Sequence, residues 1–215
     1  MIHESYYWKK ELFSCFTAIS KYRHLKRPNE QSDVKVEKAL MFGAYIVRKL
    51  DEAQKIPPAF LERQEKLEFS VGKGTVNDFL NNHRIEDHYD FDDIQTGTKD
   101  WMFIINQIIH SYSLVYSRDD FEKLDGFLIN SDKTKKKALF YLPLETVLRI
   151  FLTISEGDIT SFSGYRAPQK GTDGVIKLGE VKLANIIYSY PEGFDIEKSI
   201  SDTMNGRIYV RLNDE

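Results

Sequence analysis

The chain has a single cysteine, Cys15, among its 215 residues. An intrachain disulfide is therefore excluded, and a reducing compartment is expected. The sequence also lacks an apolar run of the roughly 18 residues that a membrane-spanning helix needs. It has no cationic start followed by an apolar core, which is the pattern of a secretory signal. We therefore expect a cytoplasmic protein with no membrane contact.

Positive charge is not in excess either. The formal net charge is −3 and the isoelectric point is about 6.0. This balance gives no global attraction to nucleic acid or to anionic membranes, and leaves only local patches for such contacts. What the chain does contain is 14 Phe and 12 Tyr. These aromatic side chains can fill a sizeable core.

Several enzyme signatures are also missing. There is no phosphate-binding Walker loop, no dinucleotide fingerprint, no nucleophile elbow and no HExxH zinc motif. Cys15 lies within the apolar stripe of a helical pattern, which indicates a buried thiol rather than a nucleophile. We expect no cofactor, and we lean towards a chain that is not an enzyme. Our first hypothesis is a non-catalytic interaction or regulatory component that binds a protein partner or self-associates.

Two helical patterns open the chain. The first covers residues 5–26 and carries an apolar stripe at helical spacing. The second begins at Ser32 or Asp33, runs to about Gln54 and is apolar on nearly all sides near its middle. The short link between them favours an antiparallel pair. Gly43 weakens the second helix, so its presence predicts close packing against the backbone.

Later segments carry the period of strands and of further helices. Strands are predicted at residues 67–71, 111–117, 127–130, 138–142, 175–178, 182–190 and 208–212. Helices are predicted near residues 98–110 and 144–156, and a surface loop is predicted over residues 158–174. The fold class is therefore α+β, with an N-terminal antiparallel helix pair followed by a mostly antiparallel sheet with packed helices. We predict a single mixed domain over residues 1–215; the alternative is a helical part, 1–67, and an α+β part, 68–215.

One stretch, residues 98–116, contains a local pattern that indicates chemistry. It begins as a helix near Thr98, which places Asn106 and His110 four residues apart on one side. Residues 105–110, INQIIH, resemble the signature of HEPN-type domains, which are helical bundles. In that signature an arginine, a polar residue, three further residues and a histidine form a ribonuclease site at a dimer interface. The resemblance implies that Asn106 and His110 are catalytic residues of RNA cleavage.

The arginine position of this signature holds Ile105, and an aliphatic side chain cannot neutralise a phosphate. A basic side chain from elsewhere would have to replace it, and the candidates are Arg48, Arg84, Arg118 and Arg149. A HEPN-like RNA-binding or RNA-cleaving protein is therefore our alternative hypothesis. A satisfied polar pair on a packed helix would explain Asn106 and His110 without any function.

Two further groups of side chains are candidates for binding. Arg207, Tyr209 and Arg211 share one face of the last predicted strand, where they could stack on bases or bind phosphate. The segment from His83 to Asp93 is rich in imidazole and carboxylate, so a metal-dependent enzyme is our third hypothesis. However, His83 and His88 are five residues apart and do not share one helix face, and we assign no metal ligand.

Overall fold

A computed structural model describes residues 2–170 and 176–211. These residues form the predicted α+β fold, in which two N-terminal helices precede a mostly antiparallel sheet. The helices are α1 (Ser5–Arg23), α2 (Glu30–Glu52), α3 (Pro58–Leu61), α4 (Ile85–His88), α5 (Trp101–Ile109), α6 (Leu144–Glu156) and α7 (Ile196–Met204). The strands are β1 (Gln64–Gly72), β2 (Tyr89–Asp100), β3 (Ser111–Arg118), β4 (Leu124–Ser131), β5 (Ala138–Pro143), β6 (Asp158–Lys170) and β7 (Ile176–Ser189). None of the described helices is both long enough and apolar enough to cross a membrane.

Helix α2 begins earlier than the sequence predicts. Asn29 is its N-cap, and its side-chain oxygen accepts a hydrogen bond from the backbone N–H of Ser32 at 2.9 Å. The Ser32 hydroxyl accepts one from the Asn29 N–H at 2.8 Å, which completes a reciprocal capping box. The prediction of Ser32 or Asp33 as the cap was wrong because Ser32 already lies in the first turn.

The middle of α2 packs tightly against α6. A Cβ atom added to Gly43 would lie 2.3 Å from Cε2 of Phe151, whose ring is fully buried. Real carbon atoms do not approach so closely, so only glycine fits here without a shift of the ring. The predicted close packing at Gly43 is confirmed.

The main sheet has five antiparallel strands in the order β2-β1-β5-β4-β3. The sequence predicted four of these strands and missed β2, which lies at one edge. Helix α5 follows β2 directly, so it begins at Trp101 rather than near Thr98. Asp100 caps it, because its carboxylate accepts a hydrogen bond from the Phe103 N–H at 2.6 Å.

One hydrophobic core joins the helices to this sheet. It takes in buried residues of α1, α2, α5 and α6 together with residues of β1, β4 and β5. Trp101 and Phe127 are among its largest fully buried side chains. The indole N–H of Trp101 donates to the Glu65 carboxylate at 3.0 Å, so the buried polar group is satisfied.

Strands β6 and β7 form a separate two-stranded ribbon. The predicted surface loop over residues 158–174 is wrong for 158–170, which are β6, and residues 171–174 lie outside the described residues. The two strands predicted at 175–178 and 182–190 are one strand, β7, although residue 175 also lies outside. Both faces of the ribbon carry exposed side chains, so the apolar–polar alternation of a half-buried strand is missing.

The last predicted strand, 208–212, is not formed by residues 208–211, and Leu212 lies outside the described residues. The chain there follows α7 as an irregular segment. The Tyr209 N–H donates to the Thr203 hydroxyl at 3.1 Å, and Arg211 binds α6 through its side chain. This segment is therefore held by contacts with helices, and not by the backbone hydrogen bonds to a neighbouring strand that its alternating sequence predicted.

Candidate functional site

A groove of about 740 Å³ lies between α2, α5 and the loop after β4. Helix α2 contributes Tyr45, Arg48, Lys49 and Glu52; α5 and its C-cap contribute Phe103, Asn106, Gln107, Ile109 and His110; the loop contributes Ser131, Asp132, Lys133 and Thr134. The two residues that match the HEPN-type pattern, Asn106 and His110, thus line one groove. Arg48, one of the four arginines named from the sequence, lines the same groove.

The guanidinium of Arg48 bridges α2 and α5. Its Nη1 donates to Oδ1 of Asn106 at 2.9 Å and lies 3.3 Å from the Met102 sulfur. Its Nε donates to the Glu52 carboxylate one turn further along α2, at 3.0 Å. The second terminal nitrogen, Nη2, makes no hydrogen bond to any described residue. An oriented guanidinium with a free edge is a suitable group for binding phosphate.

The other three candidate arginines do not line the groove. Arg149 pairs with Glu145 and Glu197, each at 2.5 Å. Arg118 donates to the Tyr22 hydroxyl at 3.0 Å. Arg84 precedes the short helix α4. Of the four cations named from the sequence, Arg48 is the one that the fold brings to Asn106.

His110 is the C-cap of α5, and its side chain is exposed. Its backbone N–H donates to the carbonyl of Asn106 at 3.1 Å. No hydrogen bond joins its imidazole to another residue of the described chain. Both ring nitrogens are therefore open to a ligand in the groove.

The loop after β4 is held against α5 by a buried amide. The Thr134 hydroxyl donates to Oε1 of Gln107 at 2.9 Å and accepts from the Ser131 N–H at 2.9 Å. These bonds fix the turn that carries Asp132 and Lys133 at the rim of the groove. Lys133 therefore adds a cation opposite Arg48, from a segment rich in lysine.

Ion pairs set the charge of the groove. Lys49 first, and then Arg48, hold the pKa of Glu52 below its ordinary value through hydrogen bonds. Lys135 likewise lowers the pKa of Asp132. Both carboxylates are therefore ionised at neutral pH. Three cations and two anions line the groove, which leaves a small positive excess for an anionic ligand.

Ile105 explains why the arginine is not on α5. Its side chain is fully buried in the core, whereas Asn106 is only partly buried and His110 is exposed. An arginine at position 105 would have to bury its charge among apolar side chains, at a large cost. The cation that contacts Asn106 comes from the neighbouring helix α2.

The residues predicted to bind RNA at the C-terminal end do not share one exposed face. Arg207 is exposed and lies 3.7 Å from Asp202. The Arg211 Nε donates to the Glu156 carboxylate at 2.7 Å, and the two side chains are only 10% and 3% exposed. The Tyr209 hydroxyl donates to the same carboxylate at 3.3 Å. None of the three lines the groove.

The segment from His83 to Asp93 is not assembled as a metal centre. His88 is buried; its Nδ1 lies 2.7 Å from the Thr75 hydroxyl and its Nε2 lies 3.1 Å from the Asn81 carbonyl. Both ring nitrogens are thus engaged by the protein. No cluster of three metal-ligating side chains occurs among the described residues. The geometry gives the third hypothesis no support.

The sequence singled out neither Tyr45 nor Lys133 and Thr134. Each comes to the groove through a tertiary contact, and the run of lysines after Asn130 was the only local signal for one of them. Comparisons of the chain with protein-family models, curated proteins and solved structures find no match.

Proposed function

We propose that this protein binds RNA in the groove between α2 and α5 and cleaves it, with His110 as the proton-transferring residue. The observation that carries the proposal is the 2.9 Å hydrogen bond from Arg48 to Asn106, in the groove that His110 lines. It combines a histidine, an oriented cation and an amide, which is the set of groups that the HEPN-type resemblance implies.

The proposed reaction is an internal transesterification. The 2′-hydroxyl of a ribose attacks the adjacent phosphorus, the bond from phosphorus to the 5′-oxygen breaks, and a 2′,3′-cyclic phosphate and a 5′-hydroxyl result. His110 takes the proton from the attacking 2′-hydroxyl, and water supplies the proton that the leaving 5′-oxygen takes up to become the 5′-hydroxyl. Arg48 stabilises the charge that develops on the phosphoryl oxygens, through its free Nη2 edge.

Asn106 acts through Arg48 as a positioning residue. Its amide oxygen accepts from Nη1, and this contact directs the guanidinium towards the groove. Without it, Arg48 retains Glu52 on its own helix and the contact with the Met102 sulfur on α5. We expect Asn106→Ala to lower activity less than Arg48→Ala, with Arg48→Lys between wild type and Arg48→Ala because lysine lacks the planar fork.

The test compares the cleavage of a labelled mixed RNA pool by the wild type and by variants that are folded to the same extent. We expect cleavage by the wild type, with products that end in 2′,3′-cyclic phosphate, and at least about a 100-fold loss in His110→Ala. His3→Ala is the matched control, because His3 is exposed and does not line the groove. Equal cleavage by wild type and His110→Ala, or none by either, would reject the proposal.

A second candidate function is non-catalytic association with a protein partner or with a second copy of the chain. Apolar side chains of the β6–β7 ribbon favour it: Ile176 and Leu178 are 72% and 73% exposed. A two-stranded ribbon is only marginally stable alone, and a covering surface would stabilise it. A protein purified from its native host as a monodisperse monomer, with no retained partner, would argue against this function.

A further inference from the structure

An aromatic pair lies on the surface of α2, and one of its two rings, Tyr45, lines the groove. Phe42 and Tyr45 are 44% and 42% exposed. Their ring centroids are 6.5 Å apart and their planes are within 12° of parallel. Contiguous exposed apolar surface, unlike a single exposed apolar residue, marks contacts with ligands or partners. Tyr45 also lines the groove that holds Arg48 and His110.

Positive charge surrounds this pair. The Lys49 ammonium lies 5.6 Å from the centroid of the Tyr45 ring. Arg48 is three residues from Tyr45, so the two side chains are neighbours on the helix surface. Lys133, from the loop after β4, lines the same groove. An apolar protein surface would gain nothing from these cations, whereas a nucleotide has a flat base for the rings and a phosphate for the charges.

We propose that Tyr45, extended by Phe42, is a stacking site for an unpaired nucleobase of the RNA whose phosphate is bound by Arg48. This inference rests on the proposed function, because it names the substrate of the same groove. Base–aromatic stacking occurs in single-stranded recognition because every base has a flat π-face. In a duplex the bases are stacked on one another and are closed to such a ring.

The substrate is therefore single-stranded RNA or an unpaired loop, and stacking alone confers little preference for one base. The tyrosine hydroxyl is not needed for this role. Tyr45→Phe keeps the ring and should bind as the wild type does, while Tyr45→Ala removes it. Because Tyr45 lies on the helix surface and is 42% exposed, both variants should fold.

The test is a binding titration that does not depend on cleavage. Fluorescence anisotropy of a short fluorescein-labelled oligouridine is measured with His110→Ala protein, so that the RNA stays intact. We expect Tyr45→Ala in that background to weaken binding about 5- to 150-fold, the affinity of one base–aromatic stack. Tyr45→Phe should change it less than about twofold, and the same strand annealed to its complement should bind weakly. Tyr7→Ala, an exposed tyrosine outside the groove, is the control.

The outcomes separate this inference from the proposed function. Cleavage by the wild type with unchanged binding by Tyr45→Ala would overturn the stacking site and leave catalysis standing. Loss of binding in Tyr45→Ala, with no cleavage by the wild type, would support the stacking site in a protein that binds RNA without cutting it. Equal affinity for duplex and single strand would overturn the inference. So would a dimer, seen by sedimentation, that Tyr45→Ala dissociates without any effect on RNA binding.

Discussion

Replacing Arg211 with alanine tests whether the basic C-terminal segment is structural. The Arg211 guanidinium pairs with Glu156 at 2.7 Å, and the side chains are 10% and 3% exposed. It also donates to the Ser155 carbonyl and lies 5.0 Å from the centroid of the Phe13 ring. Removing one partner of a buried ion pair costs about 3–5 kcal/mol, because the remaining charge stays buried. The Tyr209 hydroxyl still donates to Glu156, so we expect a loss near the lower limit, about 3 kcal/mol.

Urea unfolding of Arg211→Ala beside Arg207→Ala measures this loss. Arg207 is 83% exposed and lies 3.7 Å from Asp202, so its removal should change the free energy of unfolding by less than about 0.5 kcal/mol. Both variants lose one positive charge, so a difference between their free energies of unfolding reports the burial of Arg211 and not the change in net charge. Equal effects, or a loss below about 1 kcal/mol for Arg211→Ala, would refute the reasoning. Weaker RNA binding at unchanged stability would instead favour the RNA contact predicted from the sequence.

Two further predictions concern the helical core. Gly43→Ala should destabilise the protein by about 1 kcal/mol or more in thermal or urea unfolding, because overpacking against Phe151 outweighs the better helix propensity; a double-mutant cycle with Phe151→Leu should show coupling. Burial, and then Glu11, raise the pKa of the Cys15 thiol to about 11. Cys15 should therefore react slowly with iodoacetamide at about pH 8 until urea unfolds the chain. The raised pKa means that the neutral thiol stabilises the fold at neutral pH, and that this contribution is lost as the pH rises through about 11.

The sequence correctly predicted helices and strands in which one face is apolar and the other is polar. The first two helices carry apolar stripes, and in β3 the partly buried Leu114 and Tyr116, which share one face, pack against the core. The pattern is strong there because one face meets the core and the other meets water. The fold class followed from these elements, as did the tight packing at Gly43.

The wrong predictions fall on segments that lack a contrast between a buried face and an exposed face. Strand β2 is an edge strand whose side chains are mostly exposed, so its sequence looked like an acidic loop. Strand β6 is also exposed along most of its length, so its sequence was predicted to be a surface loop. The opposite error arose at residues 208–211, where real alternation places Arg211 against Glu156 without any strand partner. Alternation reports which side chains are buried, and a strand is only one way to bury them.

The groove could be found only in part from the sequence, because its cation lies 58 residues from the amide that orients it. The spacing of Asn106 and His110 is local and was visible. Arg48 could be named only as one of four candidates, since position 105 holds Ile105, which packs in the core. On α5 the buried face and the groove face are different sides of one helix. A cation in the groove therefore has to stand at position 106 of α5 or come from α2. When the residues of a site are divided between two helices in this way, neither helix carries the complete set in its own sequence. The double variant Arg48→Ala, Asn106→Arg tests this division. If position 106 can supply the cation, the RNA binding lost in Arg48→Ala should return in part. No recovery would show that the guanidinium must enter the groove from α2.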